Sequence, residues 1–200
     1  MVEQLSIEKL REIDAAAEKF HDDIFDGSTE YKKLDDFLKQ QGIEINYIVD
    51  IGGIDGYLQW NYDINAPTIV INITNAPVRQ RFTMAHELGH LVLDWGWNLK
   101  KEVSYKPDYL DNVISYRGKI YDEKEQKADE FAAAFLIPKT KLGNLINEFK
   151  VEYRKEIENQ EYDYDWLVNQ LIDQVSYTYN VAKATARLRL KNYLRQVTSE

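Results

Sequence analysis

RQRFTMAHELGHLVLDW, residues 79–95, is the stretch from which the rest of the chain is read, and its centre is His86-Glu87-Leu88-Gly89-His90. Two histidines four residues apart stack on one face of a helix, so both imidazoles can reach a single metal ion. Paired imidazoles joined by a carboxylate suit Zn2+, one ion per chain. Glu87 lies about 100° round the helix from His86 and points beside the metal. There it can take a proton from an attacking water as general base. The chain holds three histidines, and two of them fall in this pattern, which weighs against coincidence. The competing reading is a buried helix with two hydrogen-bonded core histidines. Phe82, Met84, Ala85, Leu88, Val92 and Leu93 leave this helix little polar face, and Gly89 lets another backbone approach beside the ligands.

A third ligand is sought downstream. In a longer motif with a third histidine, a glycine would stand where Leu93 is and a histidine where Gly96 is, so that class is excluded. DEKEQKADEFAAAFLIP, residues 122–138, reads as a helix on which Tyr121, Glu125, Ala128, Asp129, Ala132, Phe135 and Leu136 share one face. A carboxylate in a core-facing stripe must be paired or must coordinate a metal. Glu125 is therefore the candidate third ligand, against a capping box in which it would reach back to the helix start at Asp122. Asp129, one turn on, can accept the far ring N–H of a ligand histidine, or can be a core-edge aspartate bonded to backbone.

The flanking sequence supplies the frame. Residues 5–25 and 29–41 have helical apolar spacing, and His21 reads as a surface or packing histidine. Strands are predicted at 43–49, 56–62 and 68–73, leading straight into the metal helix, with Pro77 at a tolerated first-turn position. The last strand, TIVINI, is β-branched and lacks Lys or internal Pro, so it is expected at a sheet edge beside the cleft. An extended substrate peptide would then pair along Ile69, Val70, Ile71 and Asn72. Residues 96–121 have no clear period and read as a cleft wall or lid, with a disordered insertion as the alternative. Tyr105, Tyr109, Tyr116, Arg117 and Tyr121 are candidate donors to the oxyanion of a tetrahedral intermediate.

Composition narrows the class. The chain has 44% hydrophobic and 30% charged residues, the proportions of a soluble globular protein. A net charge of −9 gives no global attraction to nucleic acid or anionic lipid. The absence of cysteine removes disulfides and thiolate ligands and suits a reducing cytoplasm. The charged N-terminus has no apolar signal region, and no apolar run approaches the ~18 residues of a membrane span. The expectation is a cytoplasmic protein that does not enter membranes.

Two motifs together carry a family resemblance. Arg81-Phe82-Thr83-x-Ala85-His86-Glu87-Leu88-Gly89-His90, followed by Glu125-x-x-Ala128-Asp129-x-Phe131-Ala132-Ala133-x-x-Leu136-x-Pro138, resembles the ImmA/IrrE family of metallopeptidases. The resemblance runs from about Ile43 to Pro138. It implies an α+β, zincin-like domain with a small mixed or antiparallel sheet, zinc on His86, His90 and Glu125, and Glu87 as the base. It also implies a protein substrate: a repressor-like, helix-turn-helix regulator of a bacterial or mobile element.

Beyond Pro138 the chain reads as helices at 141–158, 166–177 and 181–197. Residues 1–140 are expected to form the peptidase domain and 141–200 a helical region. Residues 173–197 have a helix-turn-helix character, and Lys183, Arg187, Arg189, Lys191 and Arg195 offer a basic face that could lie along DNA. The alternative is a helical appendage packed on the peptidase. Two functions remain in view: a zinc endopeptidase, and a non-proteolytic regulator using the same fold as a protein-interaction scaffold or binding DNA through its last helices. An intact Glu87 favours the first, because a scaffold needs only the ligands.

Overall fold

The apolar periods resolve into elements close to those expected. The computed structural model describes residues 4–25, 31–49, 53–98, 102–107, 122–159 and 163–199. Helices α1 (Ile7–Phe25) and α2 (Tyr31–Gln40) precede strands β1 (Glu44–Ile48), β2 (Gly56–Asn61) and β3 (Ala66–Asn72). Helices α3 (Pro77–Leu93), α4 (Glu123–Leu136), α5 (Lys139–Glu152), α6 (Arg154–Glu158), α7 (Tyr164–Tyr179) and α8 (Lys183–Val197) follow. The fold is α+β, with a small mixed sheet and a helical C-terminal segment.

The strand order β1-β3-β2 corrects one expectation. β3 is central, not at an edge: it pairs in parallel with β1, Glu44 opposite Thr68, and antiparallel with β2, Gly56 opposite Ile71. Ile69, Val70 and Ile71 are buried, and Asn72 spends its side chain on Ile54 O and on Thr74. An extended peptide therefore cannot add to this strand, because both of its ladders are already taken. The unbroken apolar run is explained by burial on both faces of the sheet.

Two close approaches set the position of α3. At Gly56 a Cβ would lie 2.5 Å from Val70 O and 2.6 Å from Thr83 Cγ2, so β2 presses directly on the helix. At Gly89 a Cβ would lie 3.2 Å from both Ala128 Cα and Phe131 Cβ, so α3 and α4 touch where the chemistry-bearing residues are. Burial of Met84, Leu88 and Leu91 on α3 against Phe131, Ala132 and Phe135 on α4 belongs to one continuous core. His21 of α1 is a packing histidine, buried with its Nδ1 2.7 Å from Phe135 O.

The C-terminal helices are held to this core by two buried arginines. Arg81 of α3 donates through Nη2 to Tyr179 O at 2.9 Å, and Nη1 lies 3.5 Å from Asn180 O. It thereby caps the negative end of α7, where Asn180 turns the chain in the left-handed region at φ 50°. Arg189 of α8 has no exposed side-chain surface. Its Nε donates to Ile137 O at 2.9 Å, and its Nη1 to Asp14 at 2.6 Å and Glu130 at 3.1 Å. Asn192 donates to Glu130, and Gln196 to Asp14. Arg189 is thus withdrawn from the basic face that the sequence suggested, and two others of that set are engaged: Lys183 pairs with Asp173, and Arg195 donates to Leu5 O.

One cation between two buried carboxylates leaves room for one proton. Burial pushes the Glu130 carboxyl up to about 7, against the opposing pull of Arg189 and Asn192. The folded state therefore binds more protons than the unfolded chain between about 4.5 and 7. Glu130 consequently contributes stability that is complete below this window and lost as pH rises through it. We expect Glu130→Gln to flatten that part of the stability–pH curve, measured by urea unfolding across the window. Arg189→Ala should cost roughly 3–5 kcal/mol, because it strands both carboxylates. Combining Arg189→Met with Asp14→Leu and Glu130→Leu should recover much of that loss.

Candidate metal centre

The two informative helices place their polar residues face to face. α3 carries His86 and His90 one turn apart, and His86 and Glu87 are buried. α4 starts at Asp122, whose carboxylate accepts the N–H groups of Lys124 and Glu125 at 2.8 and 3.1 Å. This is an ordinary N-cap. The side chain of Glu125 does not complete a capping box but projects to the histidines: Oε2 is 3.2 Å from His86 Nε2 and Oε1 is 3.3 Å from His90 Nε2. The two Nε2 atoms are themselves 3.2 Å apart. Among the described residues, His86, His90 and Glu125 form a cluster whose donor atoms all lie within 4.8 Å of one another.

The outward nitrogens explain why the inward ones converge. His86 Nδ1 is 2.9 Å from Asp129 Oδ1, and His90 Nδ1 is 2.7 Å from Asp94 Oδ2. A carboxylate accepts and does not donate, so each Nδ1 carries a proton, and in the neutral imidazole each Nε2 turns a lone pair inward. Two such lone pairs and a carboxylate, facing one another with no donor among them, repel unless a cation sits between them. The donor set thus fits a metal ion.

The electrostatics of the site point the same way. Burial opposes charge on both rings, but hydrogen bonds to Asp129 and Glu125 outweigh it and raise the pKa of His86 above its ordinary value. At His90, burial is likewise overcome by Asp94 and Glu125, with Glu87 nearby, and the pKa is pushed up to about 9. The surrounding carboxylates thus favour positive charge at both rings.

Asp94 had no place in the sequence reading, although it lies one turn beyond His90 within the quoted stretch. Of the oxyanion candidates, Tyr105 is exposed, and its backbone N–H donates to Trp95 O at 3.0 Å. Tyr109, Tyr116, Arg117 and Tyr121 lie outside the described residues. The described part of the 96–121 stretch is pinned between α3 and β2. Ser104 N–H also donates to Trp95 O, the Tyr62 hydroxyl donates to Pro107 O, and Lys106 Nζ sits 4.4 Å from the Trp60 ring centroid. No helix among the described residues is long and apolar enough to cross a membrane.

Two curated relatives are radiation response metalloproteases IrrE. That of Deinococcus radiodurans is 28% identical over 110 residues, covering 54% of this chain and 29% of the relative. That of Deinococcus deserti is 33% identical over 90 residues, covering 44% of this chain and 28% of the relative. The matched region is thus less than a third of either relative's length. A solved structure of a Mycobacterium tuberculosis transcriptional regulator shares the fold, with a TM-score of 0.51 at 17% identity over 90% of this chain and 46% of that one. The model of the M78 peptidase family, described as the IrrE N-terminal-like domain, matches residues 38–191, both ligand-bearing helices included, and the chain belongs to that ImmA/IrrE family.

Proposed function

We propose that the protein is a zinc-dependent endopeptidase, with His86, His90 and Glu125 as ligands and Glu87 as general base. The observation that carries this reading is the convergence of two imidazole nitrogens and one carboxylate beside a buried glutamate. Donors held about 2.0–2.1 Å from a tetrahedral zinc ion lie about 3.3 Å apart, which matches the separations of 3.2 and 3.3 Å here. Two imidazoles with one carboxylate favour zinc over magnesium or calcium, which prefer oxygen.

Bound zinc would supply a Lewis acid that makes water a nucleophile near neutral pH and polarises a peptide carbonyl. Glu87 accepts the proton of the attacking water and passes it to the departing amine. Asp129 keeps His86 in the tautomer that presents Nε2. A repressor-like, helix-turn-helix regulator is the substrate class we infer, on the strength of family membership. The same membership motivates the cytoplasmic setting. Incubating the protein with such a regulator, with and without chelator, and resolving fragments on a gel tests the activity. Binding without a cut under any condition would favour the scaffold reading instead.

The purified protein should hold about one zinc per chain, and His86→Ala, His90→Ala and Glu125→Ala should each lower that occupancy. Full occupancy in Glu125→Ala with loss in Asp122→Ala or Asp129→Ala would reassign the third ligand. Glu87→Gln should keep zinc and fold yet lose nearly all cleavage, because the amide cannot accept the proton. Substantial turnover in that variant would remove Glu87 from the base role. Zinc uptake should release protons at neutral pH, and affinity should rise with pH towards about 9, since zinc must displace the proton held by His90. Calorimetry in buffers of different ionisation enthalpy reads this directly.

A further inference from the structure

We propose that Asp94 is a positioning residue of the metal centre, holding His90 in the orientation and tautomer that present Nε2 to the ion; this rests on the zinc reading above. Asp94 is the C-cap of α3 and remains in helical conformation at φ −98° and ψ −38°. Its side chain therefore falls on the same face as His90, one turn away. Its Oδ2 reaches His90 Nδ1 at 2.7 Å, with both side chains largely covered.

A carboxylate is electrostatically misplaced at a helix C-terminus, where the macrodipole is negative and disfavours it. The capping of α3 does not need this side chain, because the cap is made by the Asp94 backbone N–H to His90 O at 2.9 Å. What the carboxylate gains at this position is the imidazole N–H.

The two ligand histidines are thus held in different ways. His86 is oriented across the helix interface, by Asp129 of α4, forty-three residues away. His90 is oriented within α3, by a residue four positions on. A small shift of α4 would disturb the His86 contact and carry Glu125 with it, whereas His90 would keep its orientation. Asp94 thus gives the centre one ligand prepared by α3 alone.

The test is zinc affinity, measured on the full chain by competition with a chromophoric chelator. Asp94→Ala should weaken binding by about 10–100-fold, the range seen when a partner of a ligand histidine is removed. Asp94→Asn keeps the shape and an acceptor oxygen but drops the charge, and should weaken it by less. In the zinc-loaded protein, the His90 Nδ1 proton should give a slowly exchanging NMR signal in the wild type and Asp94→Asn. It should be lost in Asp94→Ala. Wild-type affinity with that signal retained in Asp94→Ala would overturn the proposal. If Asp94→Ala does not fold, unchanged affinity in Asp94→Asn overturns it. A wild-type chain that binds no zinc, or a His90→Ala variant that binds as tightly as wild type, would instead overturn the metal reading itself.

Discussion

Helix α4 turns three carboxylates inward, Glu125 and Asp129 partly covered and Glu130 buried, and each meets positive charge or a hydrogen-bond donor. That pairing organises the molecule. On one side of α4 the histidines of α3 answer Glu125 and Asp129. On the other, Arg189 and Asn192 of α8 answer Glu130. The remaining elements serve these two contacts. β2 presses α3 into place at Gly56, α1 supplies Asp14 to the same Nη1 of Arg189 that meets Glu130, and Arg81 ties the end of α7 back to α3. The candidate centre is thus one face of a helix whose opposite face is fixed by a separate charge cluster.

Around the candidate ion the protein places more negative charge than the ligands alone would provide. Glu87, Glu125, Asp94 and Asp129 surround two imidazoles. Donating its other ring N–H to a carboxylate makes an imidazole a stronger electron-pair donor. Such a centre favours a divalent cation over an anion of any kind.

Much of this was legible in the sequence because it depends on local spacing. Two histidines at i and i+4, and carboxylates at Glu125 and Asp129 in an apolar helical stripe, follow from the period of an α-helix. The structure puts those side chains together. The place of β3 was misread for a physical reason: the absence of edge-protecting Lys or Pro was taken as openness, when a run buried on both faces needs no such protection. Asp94 was overlooked because a partner for the histidines was looked for on the facing helix, where Asp129 lies, and not at the end of α3 itself. Glu130 and Arg189 were hidden differently. Their pairing joins residues fifty-nine positions apart, and no periodicity within α8 tells which of its basic residues turns inward.

The Arg189 cluster has a consequence for how the molecule is made. Arg189 closes on Ile137, the residue just after α4, across fifty-two positions of chain, and on Asp14 across one hundred and seventy-five. During synthesis, both ligand-bearing helices have been added to the chain before their buttress exists. At roughly 5–20 residues per second the wait is about 3–10 s. Through that interval Asp14 of α1 and Glu130 of α4 lack the Arg189 guanidinium that they share in the folded chain. The nascent chain therefore passes through a stage that has the candidate ligands but not the rigidity, and the ribosome's pace sets how long it lasts.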